Sequence, residues 1–180
     1  MNNPALIVAL ANARLDWRPP GARHRGSHDA LVGASAASDL LTPFLGRPVK
    51  PRELAALREL HGAVVAIVVA LIDHNPPPLG KLNRIATVDP LPRTLELRAD
   101  GALTAAPRPG SAGAAAILAE RVISEFDDLD PRRLRRCARP ECDLIFYDHS
   151  RSGTQRWHSE RPCGLRERQR RHRAVAEALG

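Results

Sequence analysis

The feature that most constrains this chain is a ligand-like spacing near its C-terminal end, Cys137-x4-Cys142-x15-His158-x4-Cys163. It uses every cysteine in the sequence, and the same stretch holds the only tyrosine, Tyr147, and one of two tryptophans, Trp157. Two short-spaced pairs separated by a loop are what a tetrahedral zinc ion requires. Each pair bends round one side of the ion, and the loop returns the second pair to the first. Thiolates and neutral imidazole are preferred zinc ligands, and Pro140, Pro162 and Gly164 constrain the two short loops. His149 and His172 lie near enough in sequence to compete with His158 for the fourth position. Three cysteines are an odd number for a closed disulfide framework. Together with the lack of a basic stretch before the first apolar run, this points to a reducing cytoplasm, where clustered thiols serve as metal ligands.

A catalytic zinc keeps an open position and a base beside it. Four ligands are available here and no H-E-x-x-H occurs. "HSERPC" contains H-x-E and a later Pro-Cys, but the C-x-x-C that completes a deaminase signature is missing. The expected role of Zn2+ is therefore structural, and no enzyme activity is expected.

The charge is strongly segregated. Residues 1–130 carry 14 Lys+Arg and 14 Asp+Glu, whereas residues 131–180 carry 13 arginines and 6 acids, the whole net charge of +7. A basic module on a neutral domain points to a polyanionic partner. On a helix starting near Gly164, Arg166, Arg170 and Arg173 share a face. A row of guanidinium groups spaced by a turn suits phosphates or a major groove. Arg151 and Arg156, in the loop between ligand pairs, are expected to add contacts. The same arginines on a salt-bridged, solvated helix with Glu167 among them are the plainer alternative. Trp157 and Phe146 are expected to form the small core of the module, and Asp148 and Ser150 to brace its loop.

The rest of the chain reads as helical. Apolar residues are 43% of the chain but aromatics only 3%, so Ala, Leu, Val and Ile must build the core, which favours close-packed helices. Helices are expected over residues 4–16, from Ser27 or Asp29 to Leu41, from Pro51 to His74, over 79–87 and across "GSAGAAAILAERVISEFDDL". The run from His61 to His74 is shorter than a bilayer span and is expected to be buried rather than membranous. Thr94–Arg98 alternates, Asp100-Gly101 is a turn signal and Leu103-Thr104 begins a return, which predicts a β-hairpin. "DPRRLRRC" reads as a short helical turn with Asp130 as N-cap. The terminal helix has Leu165, Val175 and Leu179 as its expected inward side. The fold class is thus mainly α: a helical domain with one hairpin over 1–128, hinged at 127–131 to a zinc module over 129–180.

The stretch "RRCARPECDLIFYDHSRSGTQRWHSERPCGLRERQRRHRA" resembles the CGNR zinc finger. The shared features are C-A-R-P-E-C, F-Y-D-H-S-R-S, R-W before the third ligand and C-G-x-R at the fourth. In that family the finger closes a longer protein whose N-terminal part is the ABATE domain. The first 125 or so residues are similar in length, helical character and the Asp-Gly hairpin. The resemblance implies a bacterial transcription regulator, and the Ala-, Arg- and Pro-rich composition separately suggests a GC-rich bacterial genome. DNA is the expected partner; the N-terminal domain is expected to sense an unidentified small molecule or to form a homodimer, the latter because a single finger has a small footprint. A zinc-stabilised module meeting an acidic protein, or RNA, is the alternative partner reading. Two departures stand out: His158 replaces a family Cys, giving Cys3His, and Leu165 replaces the Asn of C-G-N-R.

Overall fold

The structure is a computed structural model, which describes residues 4–13, 30–88, 93–97, 103–107 and 113–179. Its elements in order are α1 (Ala5–Asn12), α2 (Ala34–Leu45), a 3-10 turn (Pro51–Glu53), α3 (Leu54–Ile72) and α4 (Gly80–Val88). The hairpin strands β1 (Arg93–Leu97) and β2 (Leu103–Pro107) follow, then α5 (Ala114–Asp128) and a second 3-10 turn (Pro131–Arg133). The chain ends with β3 (Leu134–Arg136), β4 (Ile145–Tyr147), a π-helical turn (Glu160–Leu165) and α6 (Arg166–Leu179). The expected fold class holds: mainly helical, one hairpin, and a Cys/His cluster leading into a terminal helix.

Helix α3 is the centre of the core. Leu57, Leu60, Val64, Ile67 and Val68 recur at helical spacing and are all buried. Their β-branched members are modest helix formers, so packing against α1, α4 and α5 decides the conformation. With its preceding turn, α3 is long and apolar enough to cross a bilayer by length and composition alone. The run from His61 is only part of this helix, so the expected shortfall in length does not hold for the whole element; its buried face packs against α1, α4 and α5. It ends where His74 adopts a left-handed conformation (φ 56°) and the Asn75 N–H closes back on the Ala70 carbonyl at 2.8 Å.

Two helix starts are capped from a distance. Pro4 has no side-chain acceptor for α1, so the Glu125 carboxylate of α5 takes the N–H groups of Leu6 (3.1 Å) and Ile7 (2.8 Å). Glu53 takes the Lys50 N–H at 2.8 Å and the Ala114 N–H at the start of α5 at 3.2 Å, while Arg47 grips it with two bonds of 2.9 and 2.6 Å. The Arg47 hydrogen bond is the largest influence holding the Glu53 carboxyl down to about 2, against the opposing effect of burial.

Helix α2 starts at Ala34, later than expected. Gly33 is extended, and the carbonyls of Leu31 and Val32 accept from the Arg58 guanidinium instead of from a helical turn. The expected cap at Ser27 or Asp29, residues 14–16 of the first helix and the Asp100-Gly101 turn lie outside the described residues. The hairpin strands pair antiparallel with Leu97 opposite Leu103.

Asp130 caps as expected, accepting from the Arg132 N–H at 3.0 Å. The turn is only one 3-10 turn, however, and Leu134–Arg136 then extend to pair antiparallel with Ile145–Tyr147. This ribbon lies on the helical core: Leu134, Ile145 and Tyr147 belong to the same buried cluster as α1, α3 and α5. The Asn12 amide completes the edge of β4, donating to the Ile145 carbonyl (2.8 Å) and accepting from its N–H (2.9 Å). Packing thus crosses the segment read as a hinge, where the Asp130 N–H also donates to the Tyr147 hydroxyl at 3.2 Å.

Candidate metal centre and arginine surface

The ribbon delivers the first ligand pair. Cys137 leaves β3 with its N–H on the Leu144 carbonyl (2.9 Å), and the Cys142 N–H closes a turn onto Arg139 (2.9 Å). The second arm is pinned to the first where the Ala138 N–H meets the Arg156 carbonyl at 2.8 Å. The π-helical turn then lifts Cys163 beneath His158, with the N–H groups of Cys163 and Gly164 sharing the Ser159 carbonyl at 3.3 Å.

These two arms bring Cys137, Cys142, His158 and Cys163 together, one donor atom from each lying within 4.8 Å of every other. His158 Nδ1 is 3.3 Å from the Cys142 sulfur and 3.6 Å from the Cys163 sulfur. Zinc bonds of ordinary length hold tetrahedral donors about 3.5–3.8 Å apart, so the arrangement fits one ion. His149 packs its ring edge on Tyr147 at 5.0 Å, and His172 is exposed on α6; neither joins the cluster.

The chemistry of the donors agrees. The three cysteines are free thiols, all buried, with Cys163 fully so, and Leu144 and Trp157 pack over them. Burial pushes the Cys142 thiol up to about 12, and the neighbouring Cys137 thiol adds to this. Burial likewise raises Cys163. Three buried sulfurs cannot ionise side by side without a cation, and a divalent ion reverses that balance outright. Three thiolates and one imidazole complete a tetrahedron, so Cys3His fits a structural zinc ion. Beside it, Arg139 donates to the Pro162 carbonyl at 3.2 Å and to Glu141 at 2.8 Å, bridging the two ligand arms.

Asp148 organises the loop between the ligand pairs. It has no exposed surface. Its Oδ1 accepts from the Ser150 N–H (2.8 Å) and hydroxyl (2.6 Å), and its Oδ2 from the Gln155 N–H (2.9 Å). Arg135 lies 3.3 Å from Oδ2 as an ion pair. Burial alone raises this carboxyl, but the bonds from Ser150 and Gln155 and the Arg135 charge outweigh it, leaving Asp148 below the usual carboxylate range. The loop backbone is also held from β3 and its entry: Arg133 donates to the carbonyls of Asp148 and Ser150 (2.9 Å each), and Arg135 to that of Gly153 (2.6 Å). Gly153 turns the loop with a left-handed φ of 64°.

The arginines therefore divide by role. Arg133, Arg135 and Arg139 brace the module, and Arg168 pairs with Glu160. Of the five read as nucleic-acid contacts, Arg151, Arg166 and Arg173 are exposed and make no ion pair or hydrogen bond among the described residues. Arg156 is exposed, with its guanidinium 5.4 Å from the centre of the Trp157 ring. Arg170 is different: it holds Glu167 with two bonds of 3.0 and 2.7 Å, and Arg171 adds a third at 3.3 Å. The Arg170 hydrogen bond leads in drawing the Glu167 carboxyl down to about 2. The i, i+3 and i, i+4 spacing of Glu167 to Arg170 and Arg171 was a readable signal for this. Exposed Arg132, Arg136 and Arg161 also lack side-chain partners among the described residues, and nothing in their spacing sets them apart from the bracing arginines.

Leu165 and Val175 do not form an inward side to α6; they are 45% and 58% exposed. The helix is anchored at its start, by the ligand arm and by Glu167. The Leu179 side chain lies outside the described residues. Trp157 is half-buried against the thiols, as expected of a small core; Phe146 is buried but does not belong to the cluster around the thiols.

A comparison of the chain with curated proteins finds no match. Residues 133–175, which hold the ribbon, all four donor residues and the first turns of α6, match the CGNR zinc finger.

Proposed function

We propose that this chain is a bacterial, cytoplasmic DNA-binding regulator of transcription. In this reading a structural zinc finger reads the duplex, and an ABATE-type helical domain senses a small molecule or pairs two copies. The observation that carries it is the sorting of arginines. Those that brace the finger are tied to carbonyls and carboxylates, while Arg151, Arg166 and Arg173 stand exposed and uncommitted on the basic end of a chain whose first 130 residues are neutral. Uncommitted guanidinium groups on a clamped frame suit phosphates, because no ion pair within the chain has to be broken on binding. Arg156 on Trp157 adds a fourth cation at the foot of the same loop. Arg170 contributes field rather than a free fork, since Glu167 occupies it.

The zinc takes no part in chemistry under this reading: it would be held by Cys137, Cys142, His158 and Cys163 and would fold the module. The test is anisotropy of a labelled mixed-sequence duplex against the zinc-loaded chain from about 50 to 200 mM salt. Log affinity should fall linearly with log salt, and Arg151→Ala, Arg166→Ala and Arg173→Ala should each reduce the slope by about one. No affinity for duplex at the lowest salt removes this reading.

One observation favours a second partner. Leu165 and Val175 are exposed apolar residues among the α6 arginines, which suits an acidic protein surface carrying apolar anchors. Leu165→Ser with Val175→Ser would then abolish partner capture, while leaving any duplex affinity untouched.

A further inference from the structure

A cavity of about 300 Å³ opens between α3, α4 and α5. Ile67, Leu82 and Phe126 wall it, and Leu129 and Pro131 close one side. Among the described residues, Asn83 is the one lining side chain that can hydrogen-bond and none is ionisable. An ion buried there would lack a counter-charge, which disfavours charged ligands. The cavity lies at the lower end of the range for small-molecule sites, which combine apolar walls with a few polar groups. Two of the exposed large apolar residues, Leu79 (50%) and Ile123 (37%), sit among its lining, where a bound molecule would cover them.

Its position gives the cavity a consequence. Leu129–Pro131 is the segment by which the finger joins the helical core. Between them, Asp130 donates its N–H to Tyr147 of β4 (3.2 Å) and caps the 3-10 turn through Arg132 (3.0 Å). That turn runs directly into β3 and then Cys137.

We propose that this cavity binds an uncharged, largely apolar small molecule that makes one hydrogen bond with Asn83, and that its occupant presses on the joint carrying the finger. The regulatory use of such a site rests on the DNA-binding reading; the site itself does not.

The experiment titrates the zinc-loaded full chain with N-phenyl-1-naphthylamine, a neutral arylamine whose fluorescence rises in apolar surroundings. Binding should saturate at one molecule per chain and raise the unfolding temperature with dye concentration. Ile123→Glu, at the lining, should weaken it at least tenfold. Val32→Glu, at an exposed apolar residue outside the lining (55%), should leave it unchanged. Leu79→Glu gives the same reading as Ile123→Glu if the latter unfolds. Each variant is first checked for one zinc per chain and a cooperative transition. Non-saturating fluorescence, or equal losses in the Val32 and lining variants, overturns the proposal. Since no nucleic acid is present, that failure leaves the duplex measurement standing, and failure of the latter leaves this site standing.

Discussion

Replacing Asp148 by asparagine tests how the loop between the ligand pairs is held. The side chain keeps its shape but loses its charge and one acceptor. In either amide orientation one backbone N–H, from Ser150 or Gln155, meets an NH2 group in a place without solvent. Losing a charge-assisted bond of this kind costs about 1.5–3 kcal/mol, and the bond that survives to a neutral amide is weaker. The Arg135 ion pair adds only about 0.5 kcal/mol, because that guanidinium side chain is 40% exposed and screened. The total is about 3.5 kcal/mol, or roughly 7–14 °C in unfolding temperature for a chain of this size.

The assay is thermal unfolding of the zinc-loaded chain at neutral pH, with metal content measured alongside. Zinc should remain at one per chain, since Asp148 is not a donor. Amide exchange at Ser150 and Gln155 should speed up. The Asp148 carboxyl lies below its unfolded value, so its stabilisation is present above a pH of about 4 and lost as pH falls through the folded value. The asparagine variant lacks that acid-dependent part. An unfolding temperature within about 2 °C of the parent refutes the assignment of Asp148 as the organiser of this loop.

Other outcomes follow from the same geometry. His158→Ala should weaken zinc retention at least about 100-fold in chelator competition, whereas His149→Ala, with its ring on Tyr147, should not change it. Zinc uptake by the metal-free chain at pH 7 should release at least two protons, because burial holds the Cys142 and Cys163 thiols protonated without the ion; uptake with no proton release contradicts thiolate ligation. Asn12→Ala leaves both polar groups of Ile145 without their partner across the joint and should lower stability by about 2 kcal/mol in urea unfolding, without loss of zinc. Glu53→Gln should cost about 2 kcal/mol at pH 7. Glu53 is held down to about 2, so its contribution fades as pH falls from about 4, and the gap between variant and parent should narrow at pH 3.

What the sequence revealed and what it hid follow from the range of the interactions. Helices α3 and α5 were legible because Leu57 to Val68 and Ala115 to Val122 repeat at a period set by the helix itself. The zinc donors were legible because two short loops fix two ligands each, and only the choice among His149, His158 and His172 needed coordinates. The β3–β4 ribbon was not. Each strand is three residues long, too short for alternation to show, and its pairing depends on Asn12 from the far end of the chain. The caps by Glu125 and Arg58 are equally invisible, since they answer orphan backbone groups across more than 25 residues.

Charge counting fails at a different point. All 13 basic residues after position 130 are arginines, and composition treats them alike. The fold does not, because a guanidinium can satisfy several carbonyls at once where a small module lacks regular structure to do so. Arg133 and Arg135 do this for Asp148, Ser150 and Gly153, and Arg139 does it for Pro162. Such arginines are consumed by the fold, so their loss should unfold the finger before it weakens any complex. Only the uncommitted ones, Arg151, Arg166 and Arg173 foremost, can change affinity while leaving stability unchanged. The net charge of +7 therefore overstates the number of cations free to meet a partner. A salt slope measured on the whole chain should follow the free subset, not the count.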